Sequence, residues 1–172
     1  MRDLTATDPA FLVGETTGEL GELFRAAPPG TIPDGRGRGT VLLGTGGAIA
    51  RLAATLSYAL AWRGKVFNAR GGRLKNLITP LAIHAIEAAV YEADSWYDGE
   101  PCIVLDYSKT SLVAHKIRDE IREIAPGVFL GLVFWGRRHV LGFALDFLGM
   151  ACLEFGELDE AERWLTSFRD NR

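Results

Sequence analysis

The residues best suited to chemistry lie between Ser95 and Gly136, in the stretch SWYDGEPCIVLDYSKTSLVAHKIRDEIREIAPGVFLGLVFWG. Asp106 and Tyr107 end an apolar run, and successive side chains of a strand point to opposite faces. Ile103, Leu105 and Tyr107 would share one face; Cys102, Val104, Asp106 and Ser108 would share the other. If the second face lines an apolar interior, burial raises the Asp106 pKa and makes it a general acid or base near neutral pH, with Tyr107 as a hydrogen-bond donor. The competing reading is a strand-end carboxylate paired with Lys109, Arg118 or Arg122. His115 and Asp119 would be i, i+4 neighbours on a helix, where a carboxylate orients an imidazole and raises its basicity. The same spacing is common on solvated helix faces. Asp146 interrupts the apolar run FALDFL, so it either points outward or sits in a polar pocket. Asp106, Tyr107, Asp146 and His115 are therefore the candidate catalytic residues.

Indole rings are suited to lining a cavity for a flat aromatic or polyene ligand. Trp62, Trp96 and Trp135, with Phe129 and the cation of Lys65, are the candidate substrate-binding residues. His84, His115 and His139 show no metal-ligand spacing, and neither His-x-x-x-His nor Cys-x-x-Cys occurs. Gly44 and Gly46 begin a dinucleotide fingerprint that Ile49 breaks, and no Gly-Lys-Ser/Thr follows to make a phosphate loop. No Gly-x-Ser-x-Gly elbow is present. No metal and no cofactor are expected.

These residues need elements to position them. Leu20, Leu23 and Phe24 fall at helical spacing and predict a helix over Gly14–Ala27 with Thr17 as a cap, ended by Pro28-Pro29-Gly30. Residues 1–13 read as a loose arm. Strands are expected over Arg38–Gly44, Lys65–Asn68, Pro101–Ser108, Val128–Trp135 and His139–Leu148, the last two as a hairpin around Gly136-Arg137-Arg138. The segments Leu74–Ile83 and Ala85–Tyr91 carry weaker strand signals. Helices are expected over Ala48–Trp62 and Leu158–Phe168. The segment Leu112–Ile124 reads as a short helix or an irregular entry to a strand, and the helix is preferred. Short strands spaced by turns predict a mainly β fold, a small antiparallel barrel or strongly curved sheet. About eight strands enclose an interior just wide enough for one small ligand.

Size and composition agree. A chain of 172 residues reads as one domain, with residues 1–35 an N-terminal arm and helix and residues 149–172 a helical tail. A domain of this size buries roughly 70% of its unfolded surface and needs no disulfide or metal to fold. Cys102 and Cys152 suggest no disulfide framework. Net charge is −3, and nothing like an RNA-binding aromatic ladder appears, so nucleic acid is not expected as a partner. Charge is unevenly placed: no Asp or Glu stands between Gly35 and Ile86, where Arg36, Arg38, Arg51, Arg63, Lys65, Arg70, Arg73 and Lys75 fall. Two solvated faces explain this, as would an anionic ligand or head-to-tail contact between subunits. A homo-oligomer is thus a possible partner state. No apolar run reaches the ~18 residues of a membrane span and no signal pattern opens the chain, so a cytoplasmic location is expected.

The order Trp-x-Gly-Lys-x-Phe (Trp62 to Phe67), Asp98-Gly99, Asp106-Tyr107, Arg-Asp-Glu (Arg118 to Glu120), Leu130-Gly131 and a closing strand Phe143 to Leu148 resembles small lipocalin-like barrels, including the bacterial group known for a Gly-x-Trp-x-Gly segment. The resemblance spans about Thr40 to Leu148. It implies an apolar cavity for a hydrophobic small molecule and carries over no catalytic residue, because such barrels share a scaffold and not a chemistry. Two functions follow: an enzyme of cyclase, isomerase or dehydratase type acting on a hydrophobic substrate of secondary metabolism, or a non-catalytic carrier of a lipid or aromatic ligand. An oxidoreductase acting on a planar aromatic compound is a third.

Overall fold

A computed structural model describes residues 12–42, 62–78, 86–112 and 114–148. Among the described residues one helix, α1 (Thr17–Ala26), precedes eight strands: β1 (Gly35–Leu42), β2 (Trp62–Asn68), β3 (Arg73–Ile78), β4 (Glu87–Asp94), β5 (Pro101–Asp106), β6 (Ile117–Ala125), β7 (Val128–Trp135) and β8 (Arg138–Asp146). Each strand pairs antiparallel with its sequence neighbours, and β1 closes on β8. The result is an up-and-down closed barrel. Closure leaves no free sheet edge, which removes the hazard of unpaired backbone groups.

Alternation along the strands builds the interior. Phe67, Leu74, Val90, Ile103, Leu105, Tyr107, Ile121, Phe129, Phe143, Leu145 and Phe147 form one buried cluster inside the wall. The large rings fit because glycines stand opposite them. A Cβ on Gly131 would lie 2.2 Å from the Phe143 ring, and one on Gly37 would lie 2.7 Å from Phe147. Gly64 sits at a bulge in β2 with φ +134°, and a Cβ there would stand 2.0 Å from the Gly37 carbonyl oxygen. Glycine is needed both for that backbone and for the close approach of β1.

A second buried cluster lies outside the wall. Leu20 and Phe24 of α1 pack with Cys102, Val104, Leu130, Leu132, Phe134 and Ala144, whose side chains alternate outward from β5, β7 and β8. The helix begins at a capping box: Thr16 Oγ1 accepts from the Glu19 N–H at 3.2 Å and Glu19 accepts from the Thr16 N–H at 2.8 Å. The cap is therefore Thr16, one residue before the expected Thr17. Leu12, expected in a loose arm, is fully buried in this outer cluster.

Arg122 of β6 fastens helix, loop and wall together. Its side chain is 1% exposed. It donates twice to Asp98, at 2.7 Å each, and once to the Phe24 carbonyl at the end of α1, at 3.0 Å. Pro101 and Glu100 carbonyls accept the remaining bonds. The rings of Phe24 and Tyr97 meet edge to face at 6.1 Å beside it.

Two expectations are corrected. The segment Leu112–Ile124 is not a helix: from Ile117 it is strand β6, in register with β5 and β7. Ile117, Ile121 and Ile124 fit helical spacing, but Ile117, Asp119 and Ile121 fit strand alternation equally. The hairpin turn at Pro126-Gly127, with Gly127 at φ +69°, decides for a strand. Trp62, expected to end a helix, is the first residue of β2. The remainder of the expected helix Ala48–Trp62 and the expected helix Leu158–Phe168 lie outside the described residues. Among the described residues no helix is long and apolar enough to cross a membrane.

Removing one partner of a buried ion pair leaves an uncompensated charge, at a cost of about 3–5 kcal/mol. Arg122→Met is expected to lose that much stability in urea unfolding. Burial pushes the Asp98 carboxyl up, but the Arg122 hydrogen bonds outweigh it and hold the group below its ordinary 3.8. A depressed carboxyl stabilises the fold above its unfolded pKa and loses that contribution as pH falls through the folded one. Wild-type stability should therefore drop below about pH 4, and a pH profile of Arg122→Met should show a smaller drop over that range.

Candidate functional site

Lys65 points into the barrel and is 3% exposed. Position 65 faces inward because Phe67 two residues on does so, and the Gly64 bulge sets the turn of the strand just before it. An ammonium group in an apolar interior must give away all three protons. Lys65 Nζ donates to Tyr107 OH at 2.7 Å, to Asn76 Oδ1 at 2.9 Å and to Asp119 Oδ2 at 3.0 Å. Tyr107 OH donates in turn to Asp119 Oδ2 at 3.1 Å and accepts from Asn76 Nδ2 at 3.1 Å. The second Asn76 N–H goes to the Ile86 carbonyl at 3.0 Å. The Trp62 indole N–H donates to Asn76 Oδ1 at 3.2 Å. Rings surround the cation, with centroids of Phe143 at 5.2 Å and of Trp62 and Tyr107 at 5.4 Å from Nζ.

These five side chains come from β2, β3, β6 and the end of β5. They gather near the end of the barrel where β1 finishes and β2 begins. Trp62 opens β2, Asn76 is two residues short of the end of β3, Tyr107 follows β5 and Asp119 is the third residue of β6. At ~3.3 Å per residue the cluster lies within about 10 Å of that end.

Charge is settled by competition between burial and neighbours. Burial works to strip the proton from Lys65, but the Asp119 carboxylate and the Tyr107 hydroxyl outweigh it and hold its pKa above the ordinary lysine value. Burial and the Asp119 charge push the Tyr107 phenol up to about 12, so it stays protonated. Lys65 is thus a cation and Tyr107 a neutral donor. Among the described residues Asp119 Oδ2 takes two hydrogen bonds and Oδ1 takes none. No buried polar side-chain atom there lacks a partner, so Oδ1 retains accessible surface.

Of the residues singled out by sequence, Lys65, Tyr107 and Trp62 come together here. Phe129 is also interior but packs against Phe147 at 5.8 Å, towards the other end. Trp135 lies at the rim of the Lys65 end and is 53% exposed. Trp96 lies outside the wall, between the guanidinium groups of Arg118 at 4.4 Å and Arg137 at 4.7 Å. Asp106 faces away from the interior, as Tyr107 faces into it. It accepts from Tyr91 OH at 3.1 Å and from the Ser108 N–H at 2.8 Å. Burial raises its pKa, but these bonds and Arg118 outweigh the effect, and it falls below 3.8 rather than rising. Of the two readings of Asp106, the apolar interior is not the setting it has, and Arg118, one of the partners named for the strand-end reading, acts on it. Asp146 alternates outward between Leu145 and Phe147 and accepts from Arg38 at 3.0 Å. His115 is exposed in the turn before β6, where its Nδ1 contacts the Leu112 carbonyl at 2.8 Å. It has no helical pairing with Asp119, which points into the barrel. The Cys102 thiol is buried outside the wall and pushed up to about 12, chiefly by burial, which leaves it inert.

Sequence reasoning placed Asp119 on a solvated helix and passed over Asn76. The alternation Ile117-x-Asp119-x-Ile121 was the signal for Asp119: on a strand it puts a carboxylate among inward-facing isoleucines. For Asn76 the signal was Leu74 two residues before it on the same face.

Neither a family model nor a curated protein matches the sequence. A crystal structure of a protein from Thermomonospora curvata is similar in fold. It superposes with a TM-score of 0.61 at 21% identity, over 80% of this chain and 90% of that one. At this identity the likeness extends to the barrel and not to its chemistry.

The ion pair can be separated from the fold. Lys65→Met should cost about 3–5 kcal/mol by leaving Asp119 buried and unpaired, whereas Lys65→Met with Asp119→Leu should regain most of that loss in chemical denaturation. Raised folded pKa values for Lys65 and Tyr107 stabilise the fold below the unfolded values and lose that contribution as pH rises through the folded ones. Wild-type stability should accordingly fall between about pH 10 and 12, and Tyr107→Phe should flatten part of that decline.

Proposed function

We propose that the barrel is a lipocalin-like scaffold that takes a hydrophobic small molecule at the Lys65 end and acts on it by acid–base chemistry, as an isomerase or lyase. The observation that carries this reading is the Asp119 carboxylate. One oxygen is fixed by Lys65 and Tyr107, and the other has no hydrogen bond among the described residues. A buried ion pair is weak support for stability, because well-packed apolar residues often serve as well or better. A Lys–Tyr–Asp–Asn cluster inside an apolar barrel therefore suits a chemical role.

The residues divide the work. As an isomerase, Asp119 Oδ1 accepts a proton from the bound molecule and returns it at another atom while the electron pair shifts within the substrate. As a lyase, the shifted pair forms the new double bond, the leaving group departs with the electrons of the bond that breaks, and Asp119 passes it the proton. Nothing outside the substrate and the carboxyl group is required. Lys65 and Tyr107 hold Oδ2 and balance its charge, so they are positioning residues. Asn76 and Trp62 fix Lys65 and Tyr107 in turn. The aromatic interior takes the apolar body of the substrate.

The carrier reading uses the same place without proton transfer, and one observation favours it: every donor of the cluster already has an acceptor inside the cluster or on the backbone. A native mass spectrum of the purified protein should reveal a co-purified small molecule. Held in deuterium oxide, the wild type should place deuterium on carbon in that compound. Asp119→Asn should retain the bound mass and lose the labelling. A compound that stays unlabelled with the wild type over many hours would make the protein a carrier.

A further inference from the structure

We infer that the molecule held at this cluster is uncharged and presents a hydroxyl group to Asp119 Oδ1. The inference rests on the reading that the cluster is the binding site, and it names the class of molecule the site accepts.

The first argument is charge. Lys65 contributes one positive charge and Asp119 one negative, and they face each other at 3.0 Å. Tyr107, Asn76 and Trp62 are neutral partners. The cluster therefore sums to zero. A carboxylate ligand would bring a second negative charge beside Asp119 into an apolar interior, where an uncompensated ion is costly. An amine would bring a second positive charge beside Lys65.

The second argument is a count of donors and acceptors. Lys65 gives its three protons to Tyr107, Asn76 and Asp119. Tyr107 gives its one proton to Asp119, Asn76 gives its two to Ile86 and Tyr107, and Trp62 gives its one to Asn76. No donor is left over in the cluster. A ligand that only accepts, such as a ketone, an ester or a carboxylate, finds no proton there without breaking an existing bond. Among the described residues the remaining capacity is the acceptor Asp119 Oδ1, which keeps accessible surface, since no buried side-chain polar atom there lacks a partner. A ligand hydroxyl can fill that acceptor, whereas an analogue without a donor forms no bond with it and binds more weakly.

The third argument is the surroundings. Trp62, Tyr107 and Phe143 pack around the Lys65 ammonium, and Trp62 meets Phe143 edge to face at 5.6 Å. An apolar body lies against these rings while a single hydroxyl reaches the carboxylate. The class is thus an apolar alcohol or enol, which also gives Asp119 an O–H proton to accept.

The test uses full-length protein labelled with nitrogen-15 and two probes of equal chain length, 1-decanol and decanoate, titrated at pH 8. The Trp62 indole N–H resonance reports binding next to the cluster. 1-Decanol should shift it saturably and bind at least tenfold more tightly than decanoate. In the Lys65→Met, Asp119→Leu double variant the preference should fall to less than threefold. Decanoate binding as tightly as decanol, or more so, would overturn the inference and leave the site standing. If neither probe moves the Trp62 resonance, the binding-site reading fails and the inference fails with it.

Discussion

A lysine ammonium inside a closed barrel is the constraint on which much else depends. It needs three acceptors within reach. Tyr107, Asn76 and Asp119 meet that need, and each enters the interior from a different strand or strand end. Their own remaining valences then recruit Trp62 and the Ile86 carbonyl. The bulge at Gly64 belongs to the same requirement, because it lets β1 approach closely on one side while position 65 turns inward.

The barrel carries a second polar system on its other face, and the two have different work. Arg122 joins Asp98, the end of α1 and the β4–β5 loop. Beside it Glu120 accepts from Ser95, the Trp96 N–H and Arg118. Both sets lie on β6, where outward residues Arg118, Glu120 and Arg122 alternate with inward Ile117, Asp119 and Ile121. One strand thus supplies the clamp for the helix on one face and the carboxylate of the interior cluster on the other. The charge-rich run IRDEIREIA, which looks like a solvated surface, contains no exposed residue.

That strand also shows what was legible in the sequence. The mainly β class and the antiparallel barrel followed from local signals: β-branched and aromatic runs, and turns at Asp98-Gly99, Pro126-Gly127 and Gly136. Val128–Trp135 was placed to the residue because its flanking turns are unambiguous. β6 was not, since Ile117 and Ile121 satisfy periods of both 3.6 and 2, Ile124 fits only the helical one, and pairing with β5 and β7 decides between them. Lys65 and Tyr107 were singled out, but their meeting with Asp119 was not. Lys65 lies 54 positions from Asp119 and 42 from Tyr107, and no local pattern records a contact across a barrel. For Asp106 and Tyr107 the opposition of faces was legible, while the choice of which face is interior was not.

The up-and-down order has a consequence for how the chain reaches its folded state. Seven seams join strands adjacent in sequence, and the eighth joins β1 to β8, where Arg38 meets Asp146 across 108 positions. Hairpins form early because little chain entropy is lost in closing them, whereas the last seam must wait. Lys65 on β2 and Asp119 on β6 are four strands apart, which in an open sheet is about 19 Å. Their 3.0 Å contact exists only once the cylinder is shut. A curled but unsealed sheet would strand an ammonium against apolar rings with its counter-ion out of reach. The ion pair therefore contributes to the closed barrel and not to the open sheet that precedes it.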